Sequence, residues 1–205
     1  MTLKRSERGQ VAPFIVMDVL REANIREASG ENVLHLEVGQ PSTSAPLGVI
    51  EAAQAALIDD KLGYTEALGI HPLRRRIAQY YRDTHSVNLS DDRVVVTTGS
   101  SGGFMLAFLS AFDPGDRIAL ADPGYPAYRN ILAALGLDAV GVPTTLENRY
   151  QPTPEALDRI AAETGDIDGL IIASPANPTG TMLSADDMKA LAAYCDDRGI
   201  RLISD

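Results

Sequence analysis

The chain has 205 residues, is 45% apolar and carries a formal net charge of −10. Those values describe a globular protein with a real core and argue against non-specific nucleic-acid binding, which needs a basic surface. Cys195 is the only cysteine, so no internal disulfide can form and a reducing cytoplasm is the expected compartment.

The first ten residues are charged. The apolar stretch Val11–Val19 is broken by Pro13 and Asp18, so it reads as an arm running into a helix and not as a signal peptide. No run approaches the roughly 20 apolar residues that a membrane span needs. Pro13–Ser29 has helical spacing (Ile15, Val19, Leu20, Ala23), with Gly30 to stop it. Val33–Val38 reads as a short strand, and Gly39-Gln40-Pro41-Ser42 opens a loop. Pro46–Asp60 reads as a helix with Val49, Ile50, Ala53 and Leu57 on one face. Pro72 begins another, expected to carry Leu73, Ile77, Tyr80 and Tyr81 inward.

From Arg93 the pattern becomes regular. Strands are predicted at Val94–Thr98, Ile118–Ala121, Ala139–Val142, Leu170–Ala173 and Ile200–Ser204. Helices are predicted at Phe104–Phe112, Ala127–Leu135, Pro154–Ala162 and Ser184–Arg198. The last has Ser184 as N-cap, acids in its first turn and Gly199 past its end. Such alternation predicts an α/β fold: three layers, a mainly parallel sheet with helices on both faces. A core strand ending at Asp205 needs neighbours and a continuation, so the chain is expected to be a fragment.

Four features sit at the ends of successive predicted strands. Gly99-Ser100-Ser101-Gly102-Gly103 precedes a helix and offers hydroxyls and free backbone N–H groups to an anion. It is neither a P-loop nor a dinucleotide glycine motif. Tyr125, pinned between Gly124 and Pro126, can stack on a flat ring. Asn177-Pro178-Thr179-Gly180 places an amide after an apolar strand. Asp205 places a carboxylate after another. In a parallel sheet such ends share one edge, where open α/β sheets bind ligands. The matching ligand carries a phosphate, a flat ring and a basic ring nitrogen, as pyridoxal 5′-phosphate does.

In this order and spacing the chain resembles the N-terminal half of a fold-type-I pyridoxal-phosphate enzyme of the aspartate-aminotransferase-like class I/II group, over essentially its whole length. Leu36-Glu37-Val38-Gly39-Gln40-Pro41 resembles the family's segment at the substrate carboxylate, which places Gly39 there. Tyr64-Thr65-Glu66-Ala67-Leu68-Gly69 with Leu73-Arg74 resembles the segment whose tyrosine reaches the partner subunit's cofactor phosphate. The resemblance implies that Ser100, Ser101 and Gly102 cup the phosphate, Tyr125 stacks on the ring, Asn177 bonds the phenolic oxygen and Asp205 faces the pyridine nitrogen.

It also implies residues 1–45 as an arm and part of a small domain, residues 46–205 as an incomplete cofactor-binding large domain, and a homodimer with a shared active site. The implied activity is amino-group transfer between an amino acid and a 2-oxo acid. A C–S lyase on the same fold and a truncated, non-catalytic relative are the alternatives. No catalytic residue is assigned within the chain. None of Lys4, Lys61 and Lys189 matches the Schiff-base position, expected beyond Asp205, so the chain alone is expected to be inactive. No metal site is expected, since His35, His71 and His85 lack ligand spacing. Arg74-Arg75-Arg76 reads as a solvated helix face with one salt-bridging arginine. Neither membrane nor nucleic-acid partners are expected. Asp122-Pro123 and Asn177-Pro178 are expected to be cis.

Overall fold

The structure is a computed structural model that describes residues 3–205. It contains two compact units: one is Ile15–Gly103, the other joins the residues up to Phe14 with Phe104–Asp205.

The first of these units is helical. It holds α1 (Ile15–Ala28), α2 (Leu47–Asp59) and α3 (His71–His85), with Pro72 in the first turn of α3. Neither α1 nor α2 buries a residue. In α3 the buried residues are Arg74 and Ala78, whereas Leu73, Tyr80 and Tyr81 are exposed, contrary to expectation. Helical spacing identifies residues that share a face but not what covers that face.

Two predicted strands are absent from this unit. Val33–Val38 has no ladder, and Leu34 and Leu36 are exposed. Val94–Thr98 makes one backbone bond to a distant segment, Val96 N–H to Leu68 O at 2.9 Å. The carbonyl of Val94, which a ladder would use, instead accepts from Arg74 Nε at 3.0 Å, and Arg74 Nη2 donates to Asp91 O at 2.8 Å. Arg74 also lies 3.4 Å from the Asp92 carboxylate. Apolar β-branched residues alone do not make a strand; a neighbouring strand must accept and donate.

Helix α4 (Gly99–Ala111) begins earlier than its apolar pattern, so the glycine–serine run is its first helical turns and not a separate turn before it. Beyond Gly103 it belongs to the second unit, which is the α/β layer system. There follow β1 (Arg117–Asp122), α5 (Pro126–Leu135), β2 (Asp138–Pro143), α6 (Pro154–Thr164), β3 (Gly169–Ile172), α7 (Ala185–Arg198) and β4 (Arg201–Ser204). The strands form one parallel sheet in the order β2-β1-β3-β4, with Ile118 opposite both Ala139 and Gly169, and Gly169 opposite Arg201.

Side-chain alternation divides the core into two layers. On one face Ile118, Leu120 and Ile171 pack with Phe104 and Phe108 of α4 and Tyr128 and Leu132 of α5. On the other, Ala119, Leu170 and Ile172 pack with Leu157 of α6 and Leu191 and Cys195 of α7. The three-layer arrangement is therefore as predicted. All four residues of β3 are buried, as a central parallel strand requires. Helix α7 opens with a reciprocal capping box between Ser184 and Asp187 and closes on Gly199 at φ 68°, a left-handed cap that glycine adopts without a Cβ penalty. Among the described residues no helix is long and apolar enough to cross a membrane.

Candidate functional site

Three of the predicted site residues follow three adjacent strands of the parallel sheet. Tyr125 comes shortly after β1, Asn177 after β3, and Asp205 directly after β4. Their common position at the C-terminal edge follows from the parallel register and was the decisive sequence-based expectation.

Tyr125 is the N-cap of α5, with Pro126 in the first helical turn. Gly124 before it is needed: a Cβ there would collide with the carbonyl oxygen of Ala121. The Tyr125 ring meets Tyr128 edge-on at 5.3 Å and Phe14 of the N-terminal arm edge-on at 6.3 Å. One side of the ring system is thus held by aromatic neighbours.

The Asn177 turn is closed by backbone bonds from Gly180 N–H to Ala176 O (2.7 Å) and from Ala176 N–H to Thr181 O (2.8 Å). Asp122-Pro123 and Asn177-Pro178 are cis, and so is Ser174-Pro175. Asp205 is fastened by its backbone, donating its N–H to Ile172 O at 2.9 Å. Its carboxylate accepts a short hydrogen bond from the hydroxyl of Tyr128. Tyr128 is buried, and burial followed by the bond to Asp205 pushes its phenol well above the ordinary tyrosine range. It is therefore a permanent donor at neutral pH.

A cleft of about 20 Å³ is lined by Tyr125, Tyr128, Tyr150, Gln151, Ala173 and Asn177, among others. It is too small to enclose an aromatic ring, since ligand pockets run to several hundred Å³. Asn177 and Asp205 are exposed, however, so this edge offers an open platform and not a closed pocket. A larger cleft, about 300 Å³, lies beside the starts of α6 and α7 at Glu147, Arg149, Glu155 and Asp187 and contains no predicted site residue.

The remaining predicted residues belong to the helical unit. Ser100 and Ser101 are exposed in the first turn of α4, where backbone N–H groups are free of helical partners. Gly102 lies in the same turn, where an added Cβ would come 3.3 Å from Thr98 Oγ1. Because Val94–Thr98 is not a strand, the Gly99–Gly103 run does not follow a sheet strand as predicted. Gly39 and Tyr64 lie in exposed loops, Tyr64 with its side chain fully in solvent. Lys189 is on α7, 3.7 Å from Asp186, and has no relation to the sheet edge.

The sequence matches the family described as aminotransferase class I and II over residues 31–205. The chain belongs to the aminotransferase class I and II family. Among its relatives is the valine–pyruvate aminotransferase of Mycobacterium tuberculosis, 48% identical over 205 residues, covering all of this chain and 52% of the relative. The aspartate aminotransferase of Pyrococcus horikoshii is 32% identical over 187 residues, 91% of this chain and 47% of that protein. The crystal structure of an aminotransferase from Mycobacterium tuberculosis superposes with a TM-score of 0.93 at 48% identity, covering 99% of this chain and 52% of the other. An aspartate aminotransferase from Thermus thermophilus with maleate gives 0.92 at 28% identity, covering 99% and 53%. The chain thus spans about half the length of the aminotransferases it resembles.

Sequence reasoning missed Tyr128, Tyr150 and Gln151. Tyr128 carried a usable signal, since it lies one helical turn after Tyr125 and so on a shared face. Tyr150 and Gln151 carried none, because their approach to the Asn177 turn is set by a loop conformation.

Proposed function

We propose that the whole protein is a pyridoxal-phosphate-dependent aminotransferase, moving an amino group between an amino acid and a 2-oxo acid. The observation that carries this reading is the convergence of an aromatic, an amide and a tyrosine-held carboxylate on one parallel-sheet edge, in a chain of this family.

The donor set suits the cofactor. Tyr125 would support its ring face, Asn177 would donate to its phenolic oxygen, and Asp205 would sit at its pyridine nitrogen. Ser100, Ser101 and Gly102 would bind its phosphate at the positive end of α4. When bound, the cofactor supplies an electron sink for the carbanion left when the substrate loses its Cα proton. Asp205 serves that chemistry by favouring a protonated ring nitrogen, since an adjacent negative charge stabilises the cationic form. Tyr128 holds the carboxylate in place for this. Asn177 stabilises negative charge at the phenolic oxygen.

Gly39 is proposed at the substrate carboxylate, and Tyr64, fully exposed, is proposed to reach the cofactor phosphate of a partner subunit in a cytoplasmic homodimer. Residues 1–45 are proposed as an arm and part of a small domain, and 46–205 as the cofactor-binding domain. The lysine that holds the cofactor is proposed to lie beyond Asp205, so residues 1–205 alone are expected to be inactive.

The relative named a valine–pyruvate aminotransferase makes that pair the first to assay. Alanine formed from valine and pyruvate by the full-length protein with added cofactor supports the proposal. Release of a thiol, ammonia and pyruvate from a sulfur amino acid, without a 2-oxo-acid acceptor, would replace it with the lyase reading. No reaction with any amino donor and 2-oxo acid would support the non-catalytic one.

A further inference from the structure

We propose that Gln151 is a positioning residue that sets the Asn177 amide. Its side chain is buried, unusual for a glutamine, and it lies outside the loop that it fastens. Its amide nitrogen donates to Ala173 O and to Thr181 O, both at 3.1 Å. Ala173 and Thr181 are the two stems of the segment that carries Asn177. Thr181 O also takes the Ala176 N–H, so one carbonyl joins the internal turn bond to the external clamp. A second clamp, Leu183 N–H to Ser174 Oγ at 3.0 Å, is internal to the loop and fixes its width but not its place against the neighbouring loop.

The segment that delivers Gln151 is itself held in an unfavourable form. Arg149 and Tyr150 are consecutive non-glycine residues with φ 56° and 54°. Left-handed conformations of this kind persist only where the surroundings enforce them. Here they are enforced by Tyr150 N–H to Thr145 O (2.7 Å), Arg149 N–H to Leu146 O (3.0 Å), Thr145 N–H to Asn148 Oδ1 (2.8 Å) and Arg149 to the Asp187 carboxylate (2.5 Å). The outcome is that Tyr150 and Gln151 line the same cleft as Asn177. Gln151 acts through Asn177 and does not itself touch the cofactor.

The inference rests on the reading of Asn177 as the amide that donates to the cofactor's phenolic oxygen. It is tested in the full-length protein with Gln151→Met, which keeps length and removes both donors, and Gln151→Asn, which keeps the donors but reaches only one stem. In the cofactor-free protein, hydrogen exchange of the peptide covering 173–182 should speed up roughly fivefold or more in Gln151→Met and less in Gln151→Asn. In the loaded protein, the pH midpoint of the bound cofactor's visible absorbance should move upward by about half a unit in Gln151→Met, because the charged phenolic oxygen loses a well-placed donor. Asn177→Ala should move it further, and Gln151→Met added to Asn177→Ala should move it no more, since the two act as one unit. A Gln151→Met protein with faster exchange but an unmoved midpoint overturns the positioning role and leaves a purely structural one. An equal shift in the Asn177→Ala background overturns it too. An unmoved midpoint in Asn177→Ala itself overturns the cofactor assignment of Asn177 beneath the proposal.

Discussion

Tyr128→Phe isolates the contribution of one hydroxyl to the candidate site. The substitution keeps the ring, which packs 5.1 Å from Phe104 and 5.3 Å from Tyr125, so little packing energy is lost. What disappears is the donor to the Asp205 carboxylate. Hydrogen bonds to charged groups are worth about 1.5–3 kcal/mol, but water can reach exposed Asp205 and replace part of that, leaving about 1 kcal/mol of lost stability. That corresponds to a fall in Tm of about 2–4 °C for a chain of roughly 150–250 residues, and to less in a longer full-length protein. The effect on turnover should be larger, because the bond fixes the direction of the carboxylate. Losing it should reduce kcat/KM for amino transfer roughly tenfold, equivalent to about 1.4 kcal/mol. Steady-state kinetics of the full-length protein with cofactor, paired with a thermal melt, separates the two effects. If Asp205→Ala is nearly inactive while Tyr128→Phe stays within about twofold of the unaltered protein, the hydroxyl does not orient Asp205 and the reasoning fails.

Asp205→Ala should lower turnover far more than cofactor affinity, which comparison of kcat with a cofactor titration will check. Ser184→Ala removes the cap of α7 and should cost about 1 kcal/mol in a chemical-denaturation experiment. The Asp187 carboxyl is held below the usual aspartate range, first by Ser184 and then by Arg149. A depressed folded-state value means that its stabilisation is present above the unfolded value and fades as pH falls, so the melting difference between the unaltered protein and Asp187→Asn should narrow on acidification through the carboxylate range. Leu157→Ala empties a fully buried position between α6 and the sheet and should cost about 2–5 kcal/mol, read as a lower denaturation midpoint with an unchanged slope.

The sheet and its covering helices were legible because the central strands β1 and β3 are apolar runs buried on both faces and the helices carry their own punctuation. Ser184 and Gly199 bracketed α7 correctly for reasons internal to the segment. Val33–Val38 and Val94–Thr98 failed as strands because pairing is a property of two segments, and a single-segment pattern cannot show where a guanidinium such as that of Arg74 will take the carbonyl. The shared position of Tyr125, Asn177 and Asp205 at one sheet edge was legible, since strand ends and turn residues are local signals and parallel topology brings them together. The groups that hold them were not. Tyr128 touches Asp205 across 77 positions and Gln151 reaches Ala173 across 22, distances at which spacing in the chain carries no information.

The order β2-β1-β3-β4 has a consequence for synthesis. The strand preceding Asp205 is made last of the four yet completes the edge begun by the strand preceding Tyr125. A ribosome adding about 5–20 residues per second needs roughly 4–16 s between those two points; the buried hydroxyl of Tyr128 lacks its acceptor throughout, and β3, once made, lacks one neighbour until β4 follows. These pairings join segments far apart in sequence, so the platform forms in one late step and not residue by residue. A nascent chain therefore cannot present Tyr125, Asn177 and Asp205 together until Asp205 has left the exit tunnel.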